Sequence, residues 1–197
     1  GAVGKPNYQA YAGSYTGGAN GVYWLSIDQM LGKKHALVSN YTKGAKRKVK
    51  QYTGYKIETD LLFPLLRGRD VQRWNASPSL HLLMVQDPQK RMGYEENWLR
   101  DKSPLTYTWL AQFRKELAER KSSMIPKEPF YSMYAISDDT FAPYKVVWSE
   151  IAYTLKAAVI GSVDDQHLGE KVVVPDHTVI LIPSKTEIEA HYVCALL

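Results

Sequence analysis

Short apolar runs rich in β-branched and aromatic residues recur along most of the chain, separated by Gly, Pro, Asn and Asp. Runs of this kind favour strands, because such side chains pack well on a pleated sheet while the separating residues form turns. The strand candidates are 21–27, 35–38, 80–85, 130–136, 144–148, 155–160, 172–174 and 179–182. The pattern predicts a fold built mainly from short strands.

One helix is predicted in the second half of the chain. Ser103 can act as its N-cap, and Pro104 suits the first helical position because its fixed φ matches the helix. Apolar residues then recur at every fourth position: Leu105, Trp109, Phe113 and Leu117. This spacing places them on one stripe and predicts a surface helix packed on a sheet.

A second helix is predicted at the end. The stretch 184–187 fits a capping box, with Ile188, Tyr192 and Ala195 as the inward stripe. We therefore expect residues 1–197 to form a single α+β domain, a mixed β-sheet with packed surface helices, in which 184–197 begins a C-terminal helix. The chain stops at Leu197 without a C-cap or polar tail, which favours a fragment of a larger enzyme.

The positive charge is concentrated in one segment. The formal net charge is +5, from 25 Lys and Arg against 20 Asp and Glu. Positions 29–57 hold eight of the basic residues and no acid, which leaves 17 basic against 20 acidic residues elsewhere. Together with Tyr41, Tyr52 and Tyr55, these cations suit a polyanion, and the partial alternation within 41–55 favours a ribbon or long hairpin. A solvated lysine-rich loop is the alternative, and the absence of acids favours nucleic acid.

Three arginines follow an apolar run within residues 57–74. Arg67, Arg69 and Arg73 are separated by Gly68 and an acid, and Arg is suited to bidentate contacts with phosphate or with guanine. The alternative is structural: Asp60 or Asp70 holds an arginine in a turn, and Trp74 fills the core. For Arg69 both readings stay open, because Asp70 is adjacent.

Catalytic motifs are missing from the sequence. The five histidines show no metal-ligand spacing, GxSxG and P-loop patterns are absent, and Cys194 lies in an apolar setting typical of the core. The loop 16–21 can bring backbone N–H groups and Asn20 close to a phosphate, but so short a glycine-rich loop is weak evidence, and its glycines favour a tight turn before a strand. Pro175-Asp176 is the one hint of a metal-dependent nuclease, but no acid lies two residues before Lys185.

Four stretches in their order along the chain resemble the C-terminal half of bacterial N6-adenine DNA methyltransferases: 63–74, 144–148, 173–176 and 187–197. The chain looks most like the TaqI-like specificity domain and the fused restriction–modification enzymes of the Eco57I type. The loop 16–21 before a Tyr-rich strand is similar to the start of that domain. The resemblance covers residues 16–197.

The resemblance implies a target-recognition domain for double-stranded DNA. In that family a separate domain binds S-adenosylmethionine and methylates a flipped adenine with an Asn/Asp-Pro-Pro-Tyr/Phe motif. No Pro-Pro pair exists in this chain. We therefore expect it to be non-catalytic by itself, to hold no cofactor or metal, and to work beside the S-adenosylmethionine-binding methyltransferase domain of its parent chain.

The family comparison also ranks the candidate contacts. Elements shared by enzymes that read different sequences, here 67–74 and 145–148, are expected to be scaffold or common phosphate contacts, while 43–55 and 86–101 are expected to face bases. The predicted DNA-binding residues are Asn20, Lys43, Lys46, Arg47, Lys48, Lys50, Tyr52, Tyr55, Arg67, Arg69, Arg73 and Lys145.

Two other functions stay open from the sequence: a metal-dependent nuclease, and a protein-interaction domain that uses 187–197. The chain lacks the apolar run of about 18 residues that a membrane span needs, and it lacks a signal-peptide pattern, so we expect a soluble, cytoplasmic protein without a membrane partner. The recognised bases, the oligomeric state and DNA cleavage by the parent enzyme are not determined by the sequence.

Overall fold

The fold is α+β, as predicted. In the computed structural model, residues 8–43, 45 and 47–197 are described. The strands are β1 (Tyr11–Ala12), β2 (Trp24–Leu31), β3 (His35–Asn40), β4 (Tyr55–Glu58), β5 (Leu62–Leu66), β6 (Val71–Gln72), β7 (Asn75–Ala76), β8 (Leu80–Leu83), β9 (Gln86–Asp87), β10 (Met92–Gly93), β11 (Tyr144–Ser149), β12 (Ala157–Ile160), β13 (Ser162–Asp165), β14 (Gly169–Val172), β15 (Val174–Pro175) and β16 (Val179–Ser184). The helices are α1 (Asn20–Tyr23), α2 (Glu96–Lys102), α3 (Pro104–Ala111), α4 (Arg114–Ala118) and α5 (Glu187–Ala195), with 3₁₀ turns at Gly68–Asp70 and Asp138–Phe141.

The larger sheet has six strands in the order β15-β5-β8-β2-β3-β4. All neighbours are antiparallel except β15 and β5, where Val174 lies opposite Leu65 in a parallel pair. Strand β3 alternates, with Ala36, Val38 and Asn40 buried. The predicted pairing of 35–38 with the strand before it is confirmed by the β2–β3 ladder.

The second sheet joins the two ends of the described chain. Its order is β1-β16-β11-β12, and Tyr11 of β1 lies opposite Leu181 of β16. The backbone N–H of Ser14 and its hydroxyl both donate to the carbonyl of Pro175, at 2.9 Å each. The N-terminal strand is therefore fastened onto residues more than 160 positions away.

The predicted helix after Ser103 exists but is broken. Helix α3 ends at Ala111 and α4 begins at Arg114, with a turn between them, while Trp109, Phe113 and Leu117 are buried as expected. The Trp109 indole N–H donates to the carbonyl of Val22 at 2.9 Å. This stripe fills the core against β2 to β4.

The inward face of α5 differs from the prediction. Its buried residues are Ala190, Val193 and Cys194, whereas Ile188 and Tyr192 are 84% and 62% exposed. The N-cap is Thr186, whose hydroxyl accepts from the N–H of Glu189, in place of Ser184. Small side chains on the packed face allow the helix to lie close to β11 and β12, so size outweighs hydrophobicity in choosing the face.

The predicted strand 21–27 begins only at Trp24, because residues 21–23 belong to helix α1. Two other strand predictions were wrong. In the described part of 41–54 no strand forms, and β-structure resumes at Tyr55. Within 130–136 the structure has only a single bridge, between Tyr15 and Tyr134. There the chain is held by Arg120, whose guanidinium donates to the carbonyls of Phe130 and Ser132 at 2.7 and 2.8 Å and so takes the place of a partner strand.

Candidate nucleic-acid interface

The lysine-rich part of the chain is divided into two groups. Lys33 and Lys34 lie in the turn between β2 and β3, and the six residues of β3 separate them from the loop 41–54 by about 20 Å. We call residues 41–54 the basic loop; Gly44 and Lys46, the latter a predicted contact, lie outside the described residues. Lys56, the remaining cation of the acid-free segment, is exposed in β4 opposite Leu37, between these two groups.

Three lysines of the basic loop are exposed: Lys43, Lys48 and Lys50. The Lys50 ammonium nitrogen lies 4.8 Å from the centre of the Tyr52 ring, a cation–π contact that orients it without neutralising its charge. All three ammonium groups are therefore accessible to solvent.

Asn40 anchors the basic loop from the end of β3. Its buried side-chain amide donates to the carbonyls of Gly21 and Lys50, at 2.8 and 3.0 Å, and its Oδ1 accepts from the N–H of Tyr52 at 2.8 Å. Three hydrogen bonds from one residue fix both ends of the loop. Sequence reasoning missed Asn40, because one asparagine at the end of a strand looks like an ordinary turn residue.

Arg47 is engaged inside the protein. Its guanidinium donates to the carboxylate and to the carbonyl of Glu119, at 3.3 and 2.9 Å, and its backbone N–H donates to Gly18 at 3.2 Å. The arginine fastens the basic loop to the glycine loop and to the end of α4. Its acidic partner is Glu119, whose side chain is 54% exposed.

The predicted stacking tyrosines pack on the core. The Tyr52 ring lies 5.4 Å from Trp109 and 5.7 Å from Phe113, and Tyr55 lies 5.0 Å from Trp109, measured between ring centres. Burial also raises the pKa of the Tyr55 hydroxyl. Both rings are occupied as structural contacts, which leaves little of their faces for stacking on bases.

Asn20 opens α1 beside the basic loop. Its Oδ1 accepts from the Thr16 hydroxyl at 2.5 Å, which closes the glycine loop 16–21. The side chain is half-buried, so the tight-turn interpretation of this loop agrees with its geometry.

Arg67 has the structural role that the sequence left open, with Asp70 as its partner. Its Nε and Nη2 donate to the Asp70 carboxylate at 3.0 and 3.3 Å, and Nη2 also donates to the Ser79 hydroxyl at 2.6 Å. The guanidinium is buried and lies 5.3 Å from the ring of Tyr41, the first residue of the basic loop. Because Asp70 holds Arg67, the neighbouring Arg69 is left exposed.

The β6–β7 hairpin presents Arg73 and Trp74 to solvent. Trp74 is 64% exposed, so it does not fill the core, and its φ of +65° is unusual for a bulky residue. Its backbone N–H donates to Ala157 at 3.0 Å, and the Arg73 guanidinium lies 5.5 Å from its ring. The contact with β12 fixes the hairpin tip.

The loop 150–156 between β11 and β12 lies against this hairpin. Ile151 is 88% exposed and Tyr153 is fully exposed. The Lys156 ammonium donates to the Gln72 side chain at 3.0 Å. A recess of about 440 Å³ between loop and hairpin is lined in part by Arg69, Gln72 and Tyr153. Sequence reasoning missed this loop, since nothing in its residues distinguishes an exposed turn from a core segment.

Lys145 does not fit the interface. It is fully buried in β11, and its ammonium donates to the carbonyl of Ala142 at 2.7 Å. Burial lowers its pKa to about 7. A side chain enclosed in this way cannot reach a phosphate, because its charge is directed into the protein.

The stretch 86–101 forms the β9–β10 hairpin and most of α2. Lys90 pairs with Glu95 at 3.0 Å, and Arg100 pairs with Glu96 at 3.3 Å. Cations that already have acidic partners attract phosphate weakly. Arg91, the third cation of the stretch, is exposed. That 86–101 faces bases stays a prediction.

Asp176, which with Pro175 suggested a metal-dependent nuclease, forms hydrogen bonds within a turn. Its Oδ1 accepts from the N–H and the hydroxyl of Thr178, at 2.9 and 2.5 Å, and burial raises its pKa. Within the part of the chain that the structure describes, no three His, Cys, Asp or Glu side chains cluster as a metal site would need.

None of the described helices is long and apolar enough to cross a membrane.

Fold and surface together define an α+β protein that exposes cations and aromatic rings at loops carried by two sheets. No known family model matches the chain. It is similar to the type II methyltransferase M.NspV of Nostoc sp., with 28% identity over 141 residues. The match covers 72% of this chain and 28% of that protein, so the chain corresponds to well under half of the relative's length.

Proposed function

We propose that this chain recognises the target sequence in double-stranded DNA for an adenine-N6 DNA methyltransferase and is not catalytic by itself. The observation that supports this proposal is an exposed cationic surface on a chain similar to a type II methyltransferase. In this proposal S-adenosylmethionine binds in the methyltransferase domain of the parent chain, and the present part positions the duplex. The resemblance to TaqI-like specificity domains supports the choice of adenine.

The basic loop supplies affinity that does not depend on sequence. Lys43, Lys48 and Lys50 are exposed, and Arg69 and Arg73 add two exposed cations beside Trp74. Each phosphate that a cation neutralises releases counterions and adds about 0.9 to the slope of log affinity against log salt. Base contacts must come from other side chains, because lysines on phosphates carry no sequence information.

The test measures duplex binding as salt rises. Replacing Lys43, Lys48 and Lys50 together with Ala should lower affinity for all duplexes and flatten the salt slope by up to about three units. The matched control replaces Lys33 and Lys34, which lie beyond β3, and should leave the slope unchanged. Absence of duplex binding by the unaltered chain at low salt would contradict the proposal.

A selection from random duplexes tests the sequence-specific part. Repeated capture by the unaltered chain should enrich one short motif, because base contacts add to the uniform phosphate term. Recovery of unbiased sequences by a chain that binds tightly would reduce the function to non-specific DNA binding.

A second candidate, protein interaction, is favoured by the outer face of α5. Ile188, Tyr192 and Leu196 recur at every fourth position and are all exposed. A contiguous apolar stripe of this kind marks a protein contact. The partner that fits is the methyltransferase domain of the parent chain. Replacing Ile188 and Tyr192 with Lys should abolish association with that domain in sedimentation experiments, while Glu187→Gln should not.

A further inference from the structure

We propose that Trp74, Ile151 and Tyr153 form an apolar wedge that inserts between base pairs when the protein binds double-stranded DNA. The inference rests on the proposed function and adds a means of contact that lysines cannot supply. It assigns the loop 150–156 and the tip of the β6–β7 hairpin to one surface, here called the wedge.

The three side chains are large, apolar and exposed, and they project from adjoining loops. A single exposed apolar side chain is ordinary, but a group of them marks a contact site. Ile151 and Tyr153 line the recess that also contains Gln72, two positions before Trp74. The hydrogen bond from Trp74 to Ala157 joins the hairpin to the strand that follows the loop.

Cations surround the wedge. Arg73 lies in the hairpin, and Arg69 lies just before it in the chain. Lys156, the last residue of the loop, donates to the Gln72 side chain. Asp70 is paired with Arg67, so its charge is compensated. Two further acids line the neighbouring recess: Asp176 is buried, and Glu150 is exposed. Apolar side chains flanked by Arg and Lys suit duplex DNA, because the cations bind the two phosphate backbones while the apolar groups unstack a base step.

The wedge is held rigidly enough to insert. Strands β11 and β12 pair up to the loop, with Trp148 opposite Ala157, and the Ser149 hydroxyl donates to the carbonyl of Ile151 at 3.1 Å. A loop fixed in this way loses little conformational entropy on binding. Trp74 keeps its positive φ because the bond to Ala157 holds its backbone.

The experiment uses duplexes with 2-aminopurine at successive positions of a site selected by the unaltered chain. Binding should raise its fluorescence at one or two adjacent positions, where a base loses its stacking neighbour. Ile151→Ala with Tyr153→Ala should abolish this rise and weaken binding about tenfold or more, since one stacking contact is worth about 1–3 kcal/mol. The salt slope should not change, because no cation is removed.

The control is the pair Tyr8→Ala and Met124→Ala, two exposed apolar side chains that lie outside the wedge, the basic loop and α5. This variant should keep both the fluorescence rise and the affinity. Thermal unfolding of both variants would show that each is folded. Arg69→Ala with Arg73→Ala should instead flatten the salt slope.

Three results would overturn the inference, and they are distinguishable. Tight duplex binding without any fluorescence rise removes the wedge but leaves the proposed function intact. Unchanged duplex binding by the wedge variant, together with its loss of binding to anionic phospholipid vesicles, assigns the surface to a membrane. Failure of the unaltered chain to bind any duplex removes the proposed function itself.

Discussion

Lys145 illustrates what burial does to a single charged residue. With a pKa of about 7 in the folded protein and 10.5 when unfolded, the unfolded chain binds more protons between these values. The free energy of unfolding therefore rises as pH increases from 7 towards 10.5, and the buried ammonium destabilises the fold most at pH 7 and below.

The corresponding prediction concerns Lys145→Met. The variant should be more stable than the unaltered protein at pH 7, and its advantage should shrink as pH approaches 10, because the lysine then enters the folded state uncharged. The lost hydrogen bond to Ala142 offsets about 1 kcal/mol of the gain. Urea unfolding at both pH values measures the difference, with Lys185→Met as the exposed control. A pH-independent difference would refute the explanation.

Asn40 gives a second prediction at this scale. Asn40→Ala removes three hydrogen bonds and should lower the free energy of unfolding by about 1–3 kcal/mol, because buried backbone groups lose their partners. It should also weaken DNA binding by releasing the basic loop. Denaturant unfolding and duplex titration measure the two effects. Asn75→Ala, which removes an exposed amide, is the control for unfolding and should leave the stability unchanged.

The exposure and the partners of single residues were predictable only where their neighbours in sequence determine them. The exposure of Lys43, Lys48 and Lys50 follows from a polar, glycine-punctuated loop. The partner of Asp70 did not follow: the adjacent Arg69 was the obvious choice, but the 3₁₀ turn brings the carboxylate back to Arg67. The DNA contacts themselves remain predictions.

At the scale of elements, α3 depends on a residue far away in the chain. The Glu58 carboxylate at the end of β4 accepts from the N–H groups of Leu105 and Thr106 and from the Thr106 hydroxyl, at 2.9, 2.8 and 2.7 Å. An anion at a helix N-terminus is favourable because unpaired N–H groups point at it. Ser103, the predicted cap, makes no such side-chain bond.

Glu58→Gln should therefore destabilise the protein by about 1–3 kcal/mol, since an amide has one acceptor oxygen where the carboxylate has two. Chemical denaturation is the measurement. Glu95→Gln, on an exposed side chain, is the control and should have little effect. Equal stability of the Glu58→Gln variant and the unaltered protein would show that water satisfies the helix start.

The sequence located the start of this helix correctly, because Ser-Pro is a local signal. It could not supply the Glu58 cap, 47 positions earlier, or the break before Arg114. The buried face of α5 was predicted wrongly for the same reason. Contact with β11 and β12 determines that face, and local periodicity does not contain this information. Pairing of 35–38 with its predecessor succeeded because a short turn joins the two strands.

For the whole molecule, the closure of the N-terminal strand on β16 predicts cooperative behaviour. A Cβ on Gly13 would lie 2.2 Å from the carbonyl oxygen of Asp176, so backbone would have to move. Gly13→Ala should cost about 1–3 kcal/mol in a single unfolding transition with an unchanged denaturant slope. Gly54→Ala, at positive φ in open space, should cost about 1 kcal/mol. Two separate transitions would show that the sheets unfold independently.

The α+β class was predictable because strand runs and helix stripes differ in period. The order of strands was not, since the parallel contact of β15 with β5 joins segments more than 100 positions apart. The wedge was invisible in the sequence for the same reason: its hairpin and loop meet only in three dimensions.

The pairing of Trp148 with Ala157 separates two tasks within β11 and β12. Everything before and after that pair maintains the ladder. Glu150 donates its N–H to the carbonyl of Thr178, and Lys156 donates to Gln72, whereas residues 151–155 between them are exposed. We expect exchange of these five positions to leave the strand pairing intact. The contact surface of such a protein can therefore change while its fold stays the same.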